Sequence, residues 1–208
     1  MFRVLGFSGS LREGSFNTLL LRALPPLLPA GMSLEIFEGI GELPLYDQDL
    51  DGPAEPPAVR RFRDAVRAAD ALVVVAPEYN HTVAPVTKNA VDWASRPVRD
   101  VPLTGKGVVT LVATPGRALG FRALADLGRI IGDLGNLVVP QPEVVLNSAH
   151  TMLGTDGSGA PVLTDPTARY LIGTQFKILA DLLAADAPGV LARSIEKHWD
   201  ARLPGSRG

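Results

Sequence analysis

The chain has 208 residues, enough for one domain with a sizeable core, and no composition shift marks a boundary. Its 46% hydrophobic content, net charge of −2 and lack of a Lys/Arg-rich run argue for a globular protein and against a nucleic-acid binder. With no cysteine it has no disulfide, thiol redox centre or cysteine-held metal, so redox chemistry here needs a cofactor. Met1–Leu5 is too short an apolar run for a signal peptide, and no stretch approaches the ~20 apolar residues of a membrane span. A cytoplasmic protein with neither membrane nor nucleic-acid partner is expected.

In chain order, Phe2–Phe7 reads as a strand and Phe16–Leu28 as a leucine-rich helix, joined by a turn of glycine and hydroxyl residues. Leu34–Phe37 is the second strand, and Glu42–Leu50, with Tyr46 and Asp47, a loop. Val59, Phe62, Val66 and Ala69 repeat at helical spacing, which assigns Arg60, Arg61, Arg63 and Arg67 to the polar face of that helix. Ala71–Ala76 is a third strand, and Val83, Val86, Ala90 and Ala94 stripe the next helix. Val108–Ala113 is a fourth strand, followed by the stripe Ala123, Leu127, Ile130, Leu134, with Gly135 placed for a left-handed stop. A fifth strand is expected within Leu137–Val145, interrupted around Pro140–Pro142. Leu146–Thr164 reads as a long surface loop. Asp165-Pro166 opens a helix to about Ala185, with Leu171, Ile172, Phe176, Leu179 and Leu183 on its buried side. Pro188-Gly189 is read as its break, Val190–Trp199 as a short helix, and 203–208 as a frayed tail. Short apolar strands alternating with amphipathic helices give an α/β class: a parallel sheet with helices on both faces, in a single domain over 1–208.

The turn Gly9-Ser10-Leu11-Arg12-Glu13-Gly14-Ser15-Phe16-Asn17 carries the first chemistry. Backbone N–H groups converge at a helix N-terminus, the helix dipole favours an anion, and hydroxyls add hydrogen bonds. Arg12 supplies a guanidinium, while both G-x-x-x-x-G-K-[ST] and G-x-G-x-x-G are missing. Neither an ATPase loop nor a dinucleotide fingerprint is present. Hydroxyl clusters before helices are often caps alone, but a phosphate held by hydroxyls and one arginine suits a flavin mononucleotide.

A second motif follows the third strand: Pro77-Glu78-Tyr79-Asn80, then Lys88-Asn89-Ala90-Val91-Asp92-Trp93. Together the two segments resemble the NADPH-dependent FMN reductase family, which includes quinone, chromate and azo-dye reductases. Its members carry G-S-x-R-x-x-S-x-N near the start and P-E-Y-N followed by K-N-A-x-D-W. The likeness runs on through Leu43-Pro44-Leu45-Tyr46, Arg96-Pro97 and Thr114-Pro115-Gly116, covers roughly Met1 to Ala149, and fades beyond.

The resemblance implies a flavodoxin-like three-layer sandwich around a five-stranded parallel sheet in the order 2-1-3-4-5, with the ligand at the carboxyl ends of strands one and three. It implies FMN as cofactor, NADPH or NADH as electron donor, and a homodimer or homotetramer. Quinones, flavins, azo compounds or oxidised metal ions are the implied acceptors. Ser10, Arg12, Ser15, Phe16 and Asn17 then surround the phosphate, Ser15 also capping the helix. Pro77, Glu78, Tyr79 and Asn80 position the flavin ring, and Thr114, Pro115 and Gly116 form a third side. Tyr79 is read as a ring beside the flavin in preference to a core aromatic. Lys88, Asn89, Asp92 and Trp93 are read as structural, with Lys88 and Asp92 as a surface pair. Glu78 is not taken as a general base, since the cofactor carries the hydride. No catalytic side chain and no metal ligand is assigned. His81 has two readings, a solvent-facing loop residue, which is preferred, or an acid that protonates the reduced acceptor.

This chain departs from the family pattern at Arg117, Ala118 and Leu119, and at Thr82-Val83-Ala84-Pro85, where the proline is shifted by one place. Both departures border the space above the flavin and bear on substrate choice. The Glu42–Leu50 loop is a candidate pocket wall. Two rival readings are a flavodoxin-type electron carrier and a non-catalytic FMN-binding regulator. Arg12 and the near-neutral charge speak against the first, since such carriers are strongly acidic.

Overall fold

Parallel strands organise the protein, and the alternation of their side chains divides its core in two. The computed structural model describes residues 1–97, 100–117 and 119–200; the expectations for Ala118 and for a frayed tail at 203–208 lie outside the described residues. In chain order the strands begin with β1 (Phe2–Ser8), β2 (Met32–Ile36) and β3 (Ala71–Val75). A short hairpin of β4 (Glu78–Tyr79) and β5 (Thr82–Val83) follows, then β6 (Gly107–Ala113), β7 (Leu137–Val138) and β8 (Val145–Leu146). The sheet order is β2-β1-β3-β6-β7, with β8 also on β6, and every pairing in it is parallel. This is the expected flavodoxin-like order, with the fifth strand split into β7 and β8.

Helices cover both faces: α1 (Phe16–Arg22), α2 (Pro57–Ala68), α3 (Pro85–Ala94), α4 (Phe121–Asp133), α5 (Pro166–Ala184) and α6 (Ala187–Asp200). Leu5, Phe7, Leu72, Val74, Val108 and Val112 point to one face and pack against α2, α3 and α4. Their neighbours Val4, Val73, Val75, Val109 and Leu111 point to the other, under α1 and α5. Strands buried on both faces explain the unbroken apolar runs of β3 and β6.

Several elements differ from the sequence reading. The α-helix expected to reach Leu28 stops at Arg22, because Pro25 and Pro26 cannot supply helix N–H groups and instead enter a 3-10 turn. Val83 belongs to the β4–β5 hairpin, and α3 starts at Pro85, in the first turn that proline tolerates. The supposed loop at 146–164 contains a 3-10 turn and an antiparallel hairpin of β9 (Leu153–Thr155) and β10 (Pro161–Leu163). Asp156 shapes its tip by accepting from Ser158 Oγ at 2.6 Å, Ser158 N at 2.8 Å and Ala160 N at 3.0 Å. Those bonds, the Ser158 hydroxyl foremost, hold its carboxyl below the usual range.

At the C-terminal end, α5 gives way at Asp186, whose φ is +51°, and Pro188-Gly189 lies in the first turn of α6 instead of forming the break. Leu171 and Leu183 are half-buried, whereas Gln175 is fully inside. Arg63 corrects the reading of α2. It is buried, donating to Asp51 Oδ1 at 2.9 Å, Glu55 Oε1 at 2.6 Å and the Trp93 carbonyl at 2.9 Å, with its guanidinium 5.3 Å from the Trp93 ring centroid. Position 63 follows Val59 by four, on the apolar side of the helix.

Candidate active site

The turn after β1 is held against β3. Gly9 N–H donates to the Val75 carbonyl at 2.8 Å, and any Cβ on Gly9 would collide with the Thr87 hydroxyl and press on Ala76. Only glycine allows this approach. Beyond it the chain loops outward: Ser10 N–H donates to Ser8 Oγ at 3.3 Å, Arg12 N–H to Ser10 Oγ at 3.4 Å, and Ser15 N–H to the Arg12 carbonyl at 3.1 Å. Ser15 caps α1, its hydroxyl accepting from Thr18 N–H at 3.5 Å. The first N–H groups of α1, at Phe16 and Asn17, have no intrahelical acceptor. Arg12 is exposed, lies 5.7 Å from the Phe16 ring centroid, and makes no ion pair among the described residues.

A cavity of about 370 Å³ adjoins this loop, lined by Ser10, Arg12, Ser15 and Thr18 and, across from them, by Phe37 and Glu38. It lies on the β2 side; Pro77–Asn80 and Thr114–Gly116 do not line it.

The strands that lead into those two segments are tied to the loop and to α1. Asn17 exchanges two hydrogen bonds with the Ala113 backbone, at 3.0 and 2.9 Å, so its buried side chain fastens α1 to the end of β6. Thr114 continues from there, donating its N–H to the Leu146 carbonyl at 2.9 Å and accepting from Ala149 N–H at 2.9 Å. Gly116 N–H donates to Thr114 Oγ1 at 3.1 Å. Pro77 is buried at the end of β3, and Pro115 is exposed.

The β4–β5 hairpin turns at Asn80 and His81, both with positive φ (48° and 66°), the geometry of a two-residue hairpin turn. Glu78 spends its carboxylate on the start of α4. Its Oε2 accepts from Gly120, Arg122 and Ala123 N–H groups at 2.9, 3.2 and 3.3 Å, capping α4. Gly120 starts that helix with φ +112°, where a Cβ would also strike Val145 and Val112. Thr82 Oγ1 adds a bond to Asp126 at 2.6 Å. His81 Nδ1 stands 2.5 Å from Arg122 Nη1 and 3.7 Å from Glu78 Oε1. Guanidinium is only a donor, so Nδ1 accepts and the proton of the neutral ring sits on Nε2.

Tyr79 is 45% exposed and so is not a core aromatic; Leu11, Leu45, Leu119 and Phe121 are exposed as well. Asn89 and Trp93 have the anchoring work expected of them. Asn89 Oδ1 accepts from Tyr46 N–H at 2.8 Å, and Asn89 Nδ2 and Trp93 Nε1 donate to the Pro44 carbonyl at 2.9 and 2.7 Å. Tyr46 packs edge-on against Trp93 at 4.9 Å. Lys88 and Asp92 form the surface pair, at 2.6 Å. Sequence reasoning missed Thr18 as a structural partner of the site, and it gave Arg122, which fits the family pattern, no bond to His81. Thr18 Oγ1 donates to Ser8 Oγ at 2.8 Å, and its place one turn into α1 facing the strand was the available signal.

The family model for NADPH-dependent FMN reductases matches residues 2–151. The chain belongs to that family. It is 43% identical over 177 residues to an NAD(P)H-dependent FMN reductase of Pseudomonas aeruginosa, covering 85% of this chain and 92% of that one. A quinone reductase of Escherichia coli is 39% identical over 142 residues, 68% of this chain and 75% of its own. Among solved structures, the flavoenzyme NAD(P)H:(acceptor) oxidoreductase FerB of Paracoccus denitrificans superimposes with TM-score 0.77 at 26% identity, over 89% of this chain and 99% of that one.

The family uses FMN with NAD(P)H as donor, and the residues here fit that cofactor. Two free helix N–H groups, the hydroxyls of Ser10 and Ser15 and the uncompensated Arg12 form a donor set suited to a phosphate dianion. Beside Gly9, the buried Thr87 hydroxyl is left without a hydrogen-bond partner among the described residues, one more polar atom at the same turn.

Proposed function

We propose that this protein is an FMN-containing oxidoreductase that takes electrons from NADPH or NADH and passes them to quinones, free flavins, azo compounds or oxidised metal ions. The observation that carries the reading is the junction of three segments. The anion-suited turn after β1, the Pro77–Asn80 hairpin after β3 and the Thr114–Gly116 turn after β6 are tied together through Gly9–Val75 and Asn17–Ala113.

FMN supplies the hydride-accepting and hydride-donating ring. The protein's part is to hold and shape. Ser10, Ser15, Arg12 and the N–H groups of Phe16 and Asn17 hold the phosphate. Backbone of Pro77, Glu78, Tyr79 and Asn80, and of Thr114, Pro115 and Gly116, sets the edge and plane of the ring. With their side chains committed to other segments, Asn17 and Glu78 act through main chain. One open face serves donor and acceptor in turn, because the chain has no separate dinucleotide fingerprint. No side chain need act as a base. The exposed Leu45, Tyr79, Leu119 and Phe121 border this face and support a homodimer or homotetramer built around it, acting in the cytoplasm as a single flavodoxin-like domain.

Anaerobic mixing of the FMN-loaded protein with NADPH tests the reading: the flavin absorbance should bleach rapidly and return on adding a quinone. Initial-rate plots at several quinone concentrations should be parallel. A flavin that NADPH and NADH cannot bleach would leave the electron-carrier or regulator reading instead.

A further inference from the structure

The first turn of α4 carries a cation that its own helix does not favour. Arg122 follows Phe121, the first residue of α4, at the end where the helix dipole is positive and disfavours a guanidinium. It is exposed, and it forms no ion pair with a carboxylate among the described residues. A neutral group holds it instead: Nη1 donates to His81 Nδ1 at 2.5 Å, at the turn of the β4–β5 hairpin.

The carboxylates around this pair are engaged elsewhere. Glu78, 5% exposed, caps α4 through Oε2, and its Oε1 stands 3.7 Å from His81 Nδ1. Asp126 accepts from Thr82 Oγ1 at 2.6 Å. Arg129, farther along α4, shows the contrast, being drawn to Asp133 at 3.4 Å. Arg117, in the turn before α4, is exposed and has no side-chain hydrogen bond among the described residues. Arg122 is therefore the aimed guanidinium at this rim, with its fork of donors open to an anion.

The hairpin borders the flavin face that NADPH and NADH would enter in turn. Those donors differ in one group, the phosphate dianion on the 2′-oxygen of the adenosine ribose. With the nicotinamide ring stacked on the flavin, the adenosine half leaves across the rim. An arginine beside the path of the ribose is suited to that phosphate, whereas NADH offers it no counter-charge.

We propose that Arg122 distinguishes the two donors: its guanidinium binds the 2′-phosphate of NADPH, His81 is the positioning residue that aims it, and the protein prefers NADPH to NADH. This rests on the reading of the flavin face given above.

The test compares KM for both donors in anaerobic flavin reduction, and titrates the FMN-loaded protein calorimetrically with 2′,5′-ADP and with 5′-AMP. NADPH should have a KM about tenfold or more below that of NADH, and 2′,5′-ADP should bind about tenfold more tightly than 5′-AMP. Arg122→Gln should abolish both differences, and loss of a cation from the first turn does not weaken α4. His81→Ala should shrink both differences about threefold, with the limiting rate of flavin reduction unchanged. Arg117→Gln, which removes a more loosely held surface charge, should change them by less than about twofold. Equal KM values with equal nucleotide binding in the wild type, an equal loss for both donors in Arg122→Gln, an undiminished preference in His81→Ala, or a larger effect of Arg117→Gln overturns the proposal. If neither donor bleaches the flavin, the reading of the function fails by itself, and the titration with 2′,5′-ADP still decides the role of Arg122.

Discussion

Glu78 offers a direct way to separate a structural carboxylate from a catalytic one. Its side chain is 5% exposed, and Oε2 accepts from three N–H groups of the first turn of α4, at 2.9, 3.2 and 3.3 Å. An N-cap is typically worth ~0.5–2 kcal/mol, and a partly buried charge at a helix N-terminus adds up to ~2 kcal/mol. Glu78→Ala should therefore destabilise the apoprotein by about 1–4 kcal/mol, measured by urea unfolding so that FMN binding does not offset the loss. Glu78→Gln keeps an acceptor but loses the charge, and should fall about midway. If the carboxylate were instead a base for the reaction, the glutamine variant would lose roughly a hundredfold or more in flavin reduction by NADPH. The capping geometry leaves that rate within about tenfold. An alanine variant as stable as wild type within ~0.5 kcal/mol, or a glutamine variant that folds normally but scarcely reduces its flavin, would refute the reasoning.

Arg12→Ala should weaken FMN binding by roughly ten- to a hundredfold, the value of one charge-assisted contact, by fluorescence titration, and riboflavin should bind the native protein much more weakly than FMN. Arg63→Met leaves Asp51 and Glu55 without their buried partner and should cost about 3–5 kcal/mol of stability in urea unfolding. His81→Ala should leave flavin reduction intact and change quinone turnover by less than about tenfold from pH 5.5 to 8.5, because Nδ1 already accepts from Arg122; a hundredfold loss would make His81 the acid for the acceptor. Burial lowers the pKa of the Lys106 ammonium, against the opposing pull of Asp70. The unfolded chain then holds the extra proton between that lowered value and 10.5, so stability relative to Lys106→Met should rise with pH across that window.

The parallel sheet flanked by helices was legible because each buried strand is a short, nearly unbroken apolar run and most helices carry an apolar stripe, whereas the strand order came from the resemblance to the family. What escaped was decided at longer range. Arg63 carries a surface residue's charge, and Asp51 and Glu55, folded back from the preceding loop, together with the Trp93 carbonyl, make its burial tolerable. The β9–β10 hairpin has strands of three residues, too short for an alternating pattern, although Asp156-Gly157-Ser158-Gly159 at its tip is a turn signal in plain view. The leucine run continues past Pro25-Pro26, although two prolines cannot extend an α-helix.

The site differs from the sequence reading in a consistent direction. Motif residues with large polar side chains are the ones whose side chains are committed elsewhere: Asn17 to Ala113, Glu78 to the first turn of α4, Asn89 to Pro44 and Tyr46. Each joins segments far apart in the chain, which no local pattern reveals. On the proposed reading the ligand meets hydroxyls, main-chain N–H groups and Arg12, a set suited to a phosphate and the edge of a ring. Such a set is suited to fixing a cofactor while leaving the acceptor unspecified. Selectivity should then reside in the rim. There Leu119 and the segment from Thr82 to Pro85 depart from the family pattern, and His81 and Arg122 join the β4–β5 hairpin to α4. Changes in the motifs should alter FMN affinity or stability, whereas changes in the rim should alter which acceptor is used.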